Sequence, residues 1–129
     1  MQQQIARRRM MHRVPTADVV IVNPTHFAVA LKYDPKNMRA PRVVAKGADL
    51  VAQNIRRIAE EHRVPIFDSP KLARALYRST DLNKEIPNGL YVAVAQVLSY
   101  IFRVRTLNPT VAARIVRPNP KVGDEYLDA

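Results

Sequence analysis

Two apolar runs near the start of the chain set its architecture. Residues 18–22, Asp-Val-Val-Ile-Val, carry an unbroken β-branched stretch, which suits a central strand covered on both faces. Residues 27–33 alternate instead. Phe27, Val29, Leu31 and Tyr33 share one face of a strand, while Ala28 and Ala30 share the other, where a helix can pack closely. Only Asn23 to His26 joins the two runs. So short a link permits an antiparallel hairpin and not a parallel crossover. Asp34-Pro-Lys-Asn37 reads as a turn. Residues 42–45 read as a short strand. Gly47 then opens a helix from 48 to about 62, with Val51, Ile55, Ile58 and Ala59 at helical spacing. Residues 64–67 are a brief strand, so strand, helix and strand predict a right-handed βαβ unit with parallel pairing. Ser69 as N-cap and Pro70 at the first helical position start a helix to about Arg78, burying Leu72, Ala75 and Leu76. Pro87 can open a last helix in the same way, its apolar face made of Leu90, Val94, Val97, Leu98 and Ile101.

These elements predict an α/β fold: a small mixed β-sheet of about four strands surrounded by about four helices, in one domain over residues 15–105. Residues 1–14 hold Arg7, Arg8, Arg9 and Arg13 and no acid, and read as a basic lead-in outside the core. Residues 106–129 contain Pro109, Pro118 and Pro120 and end acidic, which reads as a flexible tail. The uncharged run from Ile86 to Phe102 includes Pro87, Asn88, Gly89, Gln96 and Ser99, and it is short for a bilayer span of about 20 residues. It reads as a buried core helix of a soluble chain.

Composition narrows the function classes. With 129 residues and 47% hydrophobic content, one real core can form. The absence of Cys excludes disulfides and thiolate metal sites and fits a reducing compartment. His12, His26 and His62 share no metal-ligand spacing, and neither a metal nor a cofactor is expected. A formal charge of +10 allows anionic partners. Against a nucleic-acid module stand the missing aromatic RNA-binding motif and the missing GXXG loop. Arg56, Arg57, Arg63, Arg74 and Arg78 scatter over two helices, as on a solvated face. No nucleophile elbow or carboxylate pair supports a hydrolase built on His26 with Asp18 or Asp34. Gly47 is expected to give backbone freedom before its helix, and Asp49 to favour the helix dipole.

The break between the first two strands, Asn23-Pro24-Thr25-His26, carries the candidate chemistry. Pro24 has no N–H, so it cannot attack the Asn23 side chain as in deamidation. The reverse attack stays open. The Asn23 amide nitrogen can attack its own carbonyl carbon, close a succinimide and expel the Pro24 nitrogen as a secondary amine. An amide is a poor nucleophile, so a turn pinned between strands must position it, and His26 is the nearest group able to assist. Cleavage within minutes to hours needs a barrier of roughly 21–23 kcal/mol. Asn108-Pro109-Thr110 repeats three of these residues with Val111 in place of His, outside any strand pair. On spacing alone, a plain structural turn outweighs a reactive one.

The longer wording changes that balance. NPTHFAVALKYD, APRVVAKGADLVAQNIR, VPIFDSPKLARALYR and EIPNGLYVAVAQVLSYIFRVR together resemble the cytoplasmic domain of the FlhB/YscU export-switch family, from about Val14 to Arg105. The wording is closer to the flagellar branch than to the injectisome relatives. The resemblance implies a domain on the cytoplasmic face of the bacterial inner membrane, with a transmembrane portion before residue 1. The basic lead-in then fits a juxtamembrane linker. It implies single-turnover self-cleavage between Asn23 and Pro24 rather than a turnover enzyme, with Thr25 setting the turn and His26 assisting. It implies a switch of export from rod and hook proteins to filament proteins, triggered by a hook-length control protein, alongside other export-gate components and with no nucleic acid. It places export substrates on an apolar surface at Ala40, Pro41, Ala95 and Leu98, although burial tendencies favour Ala95 and Leu98 as core. The competing reading is a non-cleaving basic α/β module for nucleic acid or an acidic protein.

Overall fold

The computed structural model describes residues 2–24 and 26–127. Four strands form one mixed sheet: β1 (Val19–Asn23), β2 (Phe27–Lys32), β3 (Arg42–Ala48) and β4 (Ile66–Asp68), in the order β3-β2-β1-β4. β1 and β2 form the expected antiparallel hairpin, in register from Val19 opposite Leu31 to Asn23 opposite Phe27. β3 adds antiparallel to β2, and β4 adds parallel to β1.

The β-branched run is buried on both faces, as its composition requires, since Val19, Val20, Ile21 and Val22 are at most 1% exposed. Alternation along the hairpin divides the core in two. Val19, Ile21, Val29 and Leu31 face helices α3 (Pro70–Ser79) and α4 (Tyr91–Thr106). Val20, Val22, Ala28 and Ala30 face α2 (Asp49–Glu61), whose Ala52, Ile55 and Ala59 are buried there. The small Ala28 and Ala30 give α2 its close approach.

Several expectations are corrected. The βαβ unit exists in connection but not in pairing: β3 and β4 lie on opposite edges, and α2 crosses the two hairpin strands between them. The parallel partner of β4 is β1, because α2 carries the chain across both hairpin strands to the far edge of the sheet, while the outer edge of β3 meets residues 83–85. β3 runs past Ala45 and through Gly47 to Ala48. Gly47 has no positive φ; it is glycine because a Cβ would strike the Val51 side chain. The residue with reversed backbone is Asp49, at φ 51°. The uncharged segment to Phe102 is not buried throughout: α4 buries Ala93, Val94 and Val97 and leaves Val92 and Phe102 outside.

The described segments near both ends pack on the domain. α1 (Gln2–Arg13) seats Met10, and Val14 one helical turn on, against β3 and α2, so the basic lead-in joins the core through one face. Residues 106–127, expected as a mobile tail, contain a one-turn helix α5 (Pro109–Ala112), capped by the Asn108 side chain accepting from the Val111 N–H. Further on, the Arg117 guanidinium stacks on the Phe67 ring at 3.9 Å and donates to the Asp68 carbonyl. Val122 and Tyr126 pack against the α3–α4 core, and a Cβ on Gly89 would strike Tyr126. Arginine and proline composition hides these contacts, because the apolar partners are in other parts of the chain.

Candidate functional site

The hairpin turn is built by main-chain hydrogen bonds. The His26 N–H donates to the Asn23 carbonyl at 2.9 Å, closing the turn. Asn23 is half-buried at the end of β1, Pro24 and His26 are exposed, and Thr25 lies outside the described residues. Neither the Asn23 amide nor the His26 imidazole hydrogen-bonds another described side chain or main-chain group. The imidazole ring stands 6.4 Å from the Phe27 ring, tilted by 56°. His26 therefore meets Asn23 through its main chain rather than its ring.

Two neighbours hold the turn from outside. The Asp49 N–H donates to the His26 carbonyl at 2.9 Å, continuing the β2–β3 ladder one step past Ala48, and Asp49 itself takes left-handed backbone where the chain turns into α2. Aspartate tolerates this region better than most residues. Arg56, two turns into α2, donates through a guanidinium nitrogen to the Pro24 carbonyl at 2.9 Å. On the β4 side, the Ser69 N–H donates to the Val22 carbonyl at 3.0 Å, which pins β1 just before Asn23. Below the turn, Phe27 packs on Tyr77 with ring centroids 4.6 Å apart, and Lys46 lies over the Tyr77 ring and donates to its carbonyl. Sequence reasoning missed Arg56 and Asp49, reading one as part of a solvated face and the other as a dipole partner. Their partners are twenty or more residues away, and no local spacing marks them.

The arrangement suits the cyclisation chemistry. The Asn23 carbonyl oxygen already accepts an N–H, a bond that would gain strength if that oxygen became negative on attack. Every carbonyl from Val22 to Pro24 has a donor, so the turn is fixed on both sides of the Asn23–Pro24 bond.

The second set of candidate residues converges elsewhere. Ala40, Pro41, Ala95 and Leu98 line one cavity of about 320 Å³, together with Tyr33, Arg39 and Tyr91. The expectation that Ala95 and Leu98 are core is corrected: Ala95 is exposed and Leu98 half-buried. The reason is the register of α4, which turns Val94 and Val97 inward and their neighbours outward. The loop carrying Ala40 and Pro41 is held in place. Its Pro41 carbonyl accepts the Ile86 N–H at 2.9 Å, and Val43 donates to the Lys84 carbonyl at 3.0 Å. Among the described residues no cluster of His, Asp and Glu could hold a metal ion, and no helix is long and apolar enough to cross a membrane.

Comparison with known proteins gives the family and the fold. A family model described as the FlhB HrpN YscU SpaS family matches residues 1–101. The flagellar biosynthetic protein FlhB of Salmonella typhimurium is 48% identical over 99% of the chain, and that of Bacillus subtilis is 46% identical over 81%. The chain covers 33% and 29% of those proteins, so it spans about a third of their length. The crystal structure of the cytoplasmic domain of FlhB from Shewanella putrefaciens superposes with a TM-score of 0.85 at 46% identity, over 95% of each chain. An EscU C-terminal domain mutated from Asn to Ala superposes at 0.68 with 28% identity, over 70% of this chain and 90% of the other.

Proposed function

The chain belongs to the FlhB HrpN YscU SpaS family, and from that membership we propose that it is the self-cleaving cytoplasmic part of a membrane-anchored flagellar export component. The observation that carries the reading is the turn in which the Asn23 carbonyl accepts the His26 N–H, followed by a proline that cannot attack. Two similar EscU domains carry substitutions at an adjacent Asn and Pro.

The Asn23 side-chain nitrogen attacks the Asn23 carbonyl carbon. The oxyanion forms against the His26 N–H. The attacking nitrogen loses a proton, the Pro24 nitrogen gains one, and the carbon–nitrogen bond between the residues breaks. A succinimide ends the first fragment, and a secondary amine begins the second. Water then opens the ring. His26 serves through its main-chain N–H; its exposed imidazole is free to relay protons through water. No cofactor or metal takes part, and each molecule reacts once.

The fragments stay together because β1 is paired on both sides and buried from Val19 to Val22. Cutting the turn frees Pro24 to His26 while the sheet holds, a local two-state element of the kind a switch needs. The pocket at Ala40, Pro41, Ala95 and Leu98 receives export substrates at the inner membrane's cytoplasmic face. Cleavage licenses the change from rod and hook to filament substrates, with a hook-length control protein as the signal, since nothing in the turn can sense length. Denatured intact mass decides the chemistry. The wild type should give two species breaking between Asn23 and Pro24, and Asn23→Ala a single one. A single full-length species in both after long incubation refutes cleavage. Normal switching in cells carrying Asn23→Ala refutes the licensing role.

A further inference from the structure

The pocket at Ala40, Pro41, Ala95 and Leu98 does not end at Leu98. Beside it lies a larger cavity of about 560 Å³, and the two share Tyr33 and Leu98 as common walls. The remaining walls of the larger one include Pro35, Ile101, Phe102 and Arg105. The reason for the continuity is helical spacing. Tyr91, Ala95, Leu98 and Phe102 recur at i, i+4, i+7 and i+11 along α4, so they form one stripe. It is separate from the stripe that fills the core, which is Ala93, Val94 and Val97. Phe102 is 69% exposed and Tyr91 38%, so the outer stripe presents large apolar side chains to solvent. The opposite bank is Tyr33 and Pro35, just beyond β2. From Tyr91 to Arg105 the groove is about 21 Å long at the helical rise.

Its charges are one-sided. Arg39 lines the smaller cavity and Arg105 the larger. Neither guanidinium is in an ion pair with a described residue. Asp18, a carboxylate in the walls, is already engaged, accepting the Tyr33 N–H at 2.7 Å. The groove therefore offers an apolar floor and two free cations.

We propose that the two cavities form one docking groove for an amphipathic helix of an export substrate. Its apolar stripe would lie on Tyr91, Ala95, Leu98 and Phe102, and its acidic residues would meet Arg39 and Arg105. The proposal rests on the substrate-docking reading of the smaller pocket and extends it from a pocket for one or two side chains to a helix-length site. A second copy of this chain fits less well, because at a net charge of +10 it would bring cations to a basic rim.

NMR titrations with two synthetic peptides test it. The long peptide has about 16 residues, enough to span the groove as a helix, with Leu at i, i+4, i+7 and i+11 and Glu near each end. The short peptide keeps only the first two Leu and no Glu. The long peptide should bind about tenfold more tightly than the short one. Phe102→Ala and Arg105→Glu should each weaken the long peptide by about tenfold and leave the short one unchanged. A long peptide with Lys in place of Glu should recover binding to Arg105→Glu. Ala95→Glu should weaken both. If Phe102→Ala and Arg105→Glu leave the long peptide unaffected while Ala95→Glu abolishes binding, the site stops at the smaller pocket and the groove is refuted. If neither peptide binds the wild type, the docking reading falls with it. Phe102 and Arg105 are exposed, so these variants keep the core and the comparison stands.

Discussion

Arg56 reaches from α2 to the Pro24 carbonyl, just past the Asn23–Pro24 bond proposed to break. In the intact chain this contact holds the Pro24 side of the turn. On the proposed cleavage the Pro24 nitrogen would become a secondary amine, protonated at neutral pH by analogy with the α-amino group at about 8. That places a new cation beside a guanidinium, and repulsion in a partly screened site favours release of the cut end. We expect Arg56→Ala to cleave about fivefold more slowly, the rate equivalent of one net hydrogen bond. A time course of intact mass checks this, with urea unfolding of the variant confirming an unchanged fold. If cleavage keeps its wild-type rate, the turn is held by main-chain contacts alone. Asp49 is the second residue of this kind: it serves the turn through its main-chain N–H, which a side chain's identity does not announce.

The junction of β3 and α2 is where an element-level rule outweighs a residue-level one. Glycine before a helix suggests backbone freedom, yet here the strand continues through Gly47 and the need is space. β3 passes so close to the first turn of α2 that a methyl group at Gly47 meets Val51. Gly47→Ala should lower stability by about 1–3 kcal/mol through overpacking. The urea midpoint should fall with the m-value unchanged. The same junction carries Asp49, so a shift there would also move the N–H that holds His26. α4 makes the complementary point. It has two apolar stripes: one fills the core, and the other leaves Tyr91 and Phe102 exposed.

The molecule is built on a single sheet, with the Asn-Pro turn between its two central strands. Cleavage would leave a fragment ending at Asn23 whose β1 is wedged between β2 and β4. The fold would then be a complex of two chains, and unfolding would separate them. We expect the melting temperature of cleaved wild type to rise by about 3–6 °C for a tenfold rise in protein concentration. Asn23→Ala should melt at a temperature independent of concentration. Calorimetry at two concentrations distinguishes them; no concentration dependence in the cleaved protein would mean the fragments separate in a different step from unfolding. The packed ends belong to this scale too. Met10 and Val14 close the α2 face, and Arg117, Val122 and Tyr126 close part of the α3–α4 face.

Local periodicity determined much of this protein before any coordinates. The β-branched run at 18–22, the alternation from Phe27 and the four-residue link specify a buried antiparallel hairpin with Asn-Pro at its tip, because burial and chain length leave no other pairing. Helical spacing likewise specified the inner faces of α2 and α3. What the tertiary structure alone decided is which distant groups meet. β4 pairs with β1 and not β3, because α2 packs across both hairpin strands and delivers the chain to the far edge, and parallel pairing needs only a crossover of sufficient length. Arg56 and Asp49 serve the turn, Ala40 and Pro41 meet Ala95 and Leu98, and the chain's last segment lies on Phe67. Each of these contacts joins residues far apart in the chain, where side-chain type sets what a residue can do and only the packed fold sets what it faces.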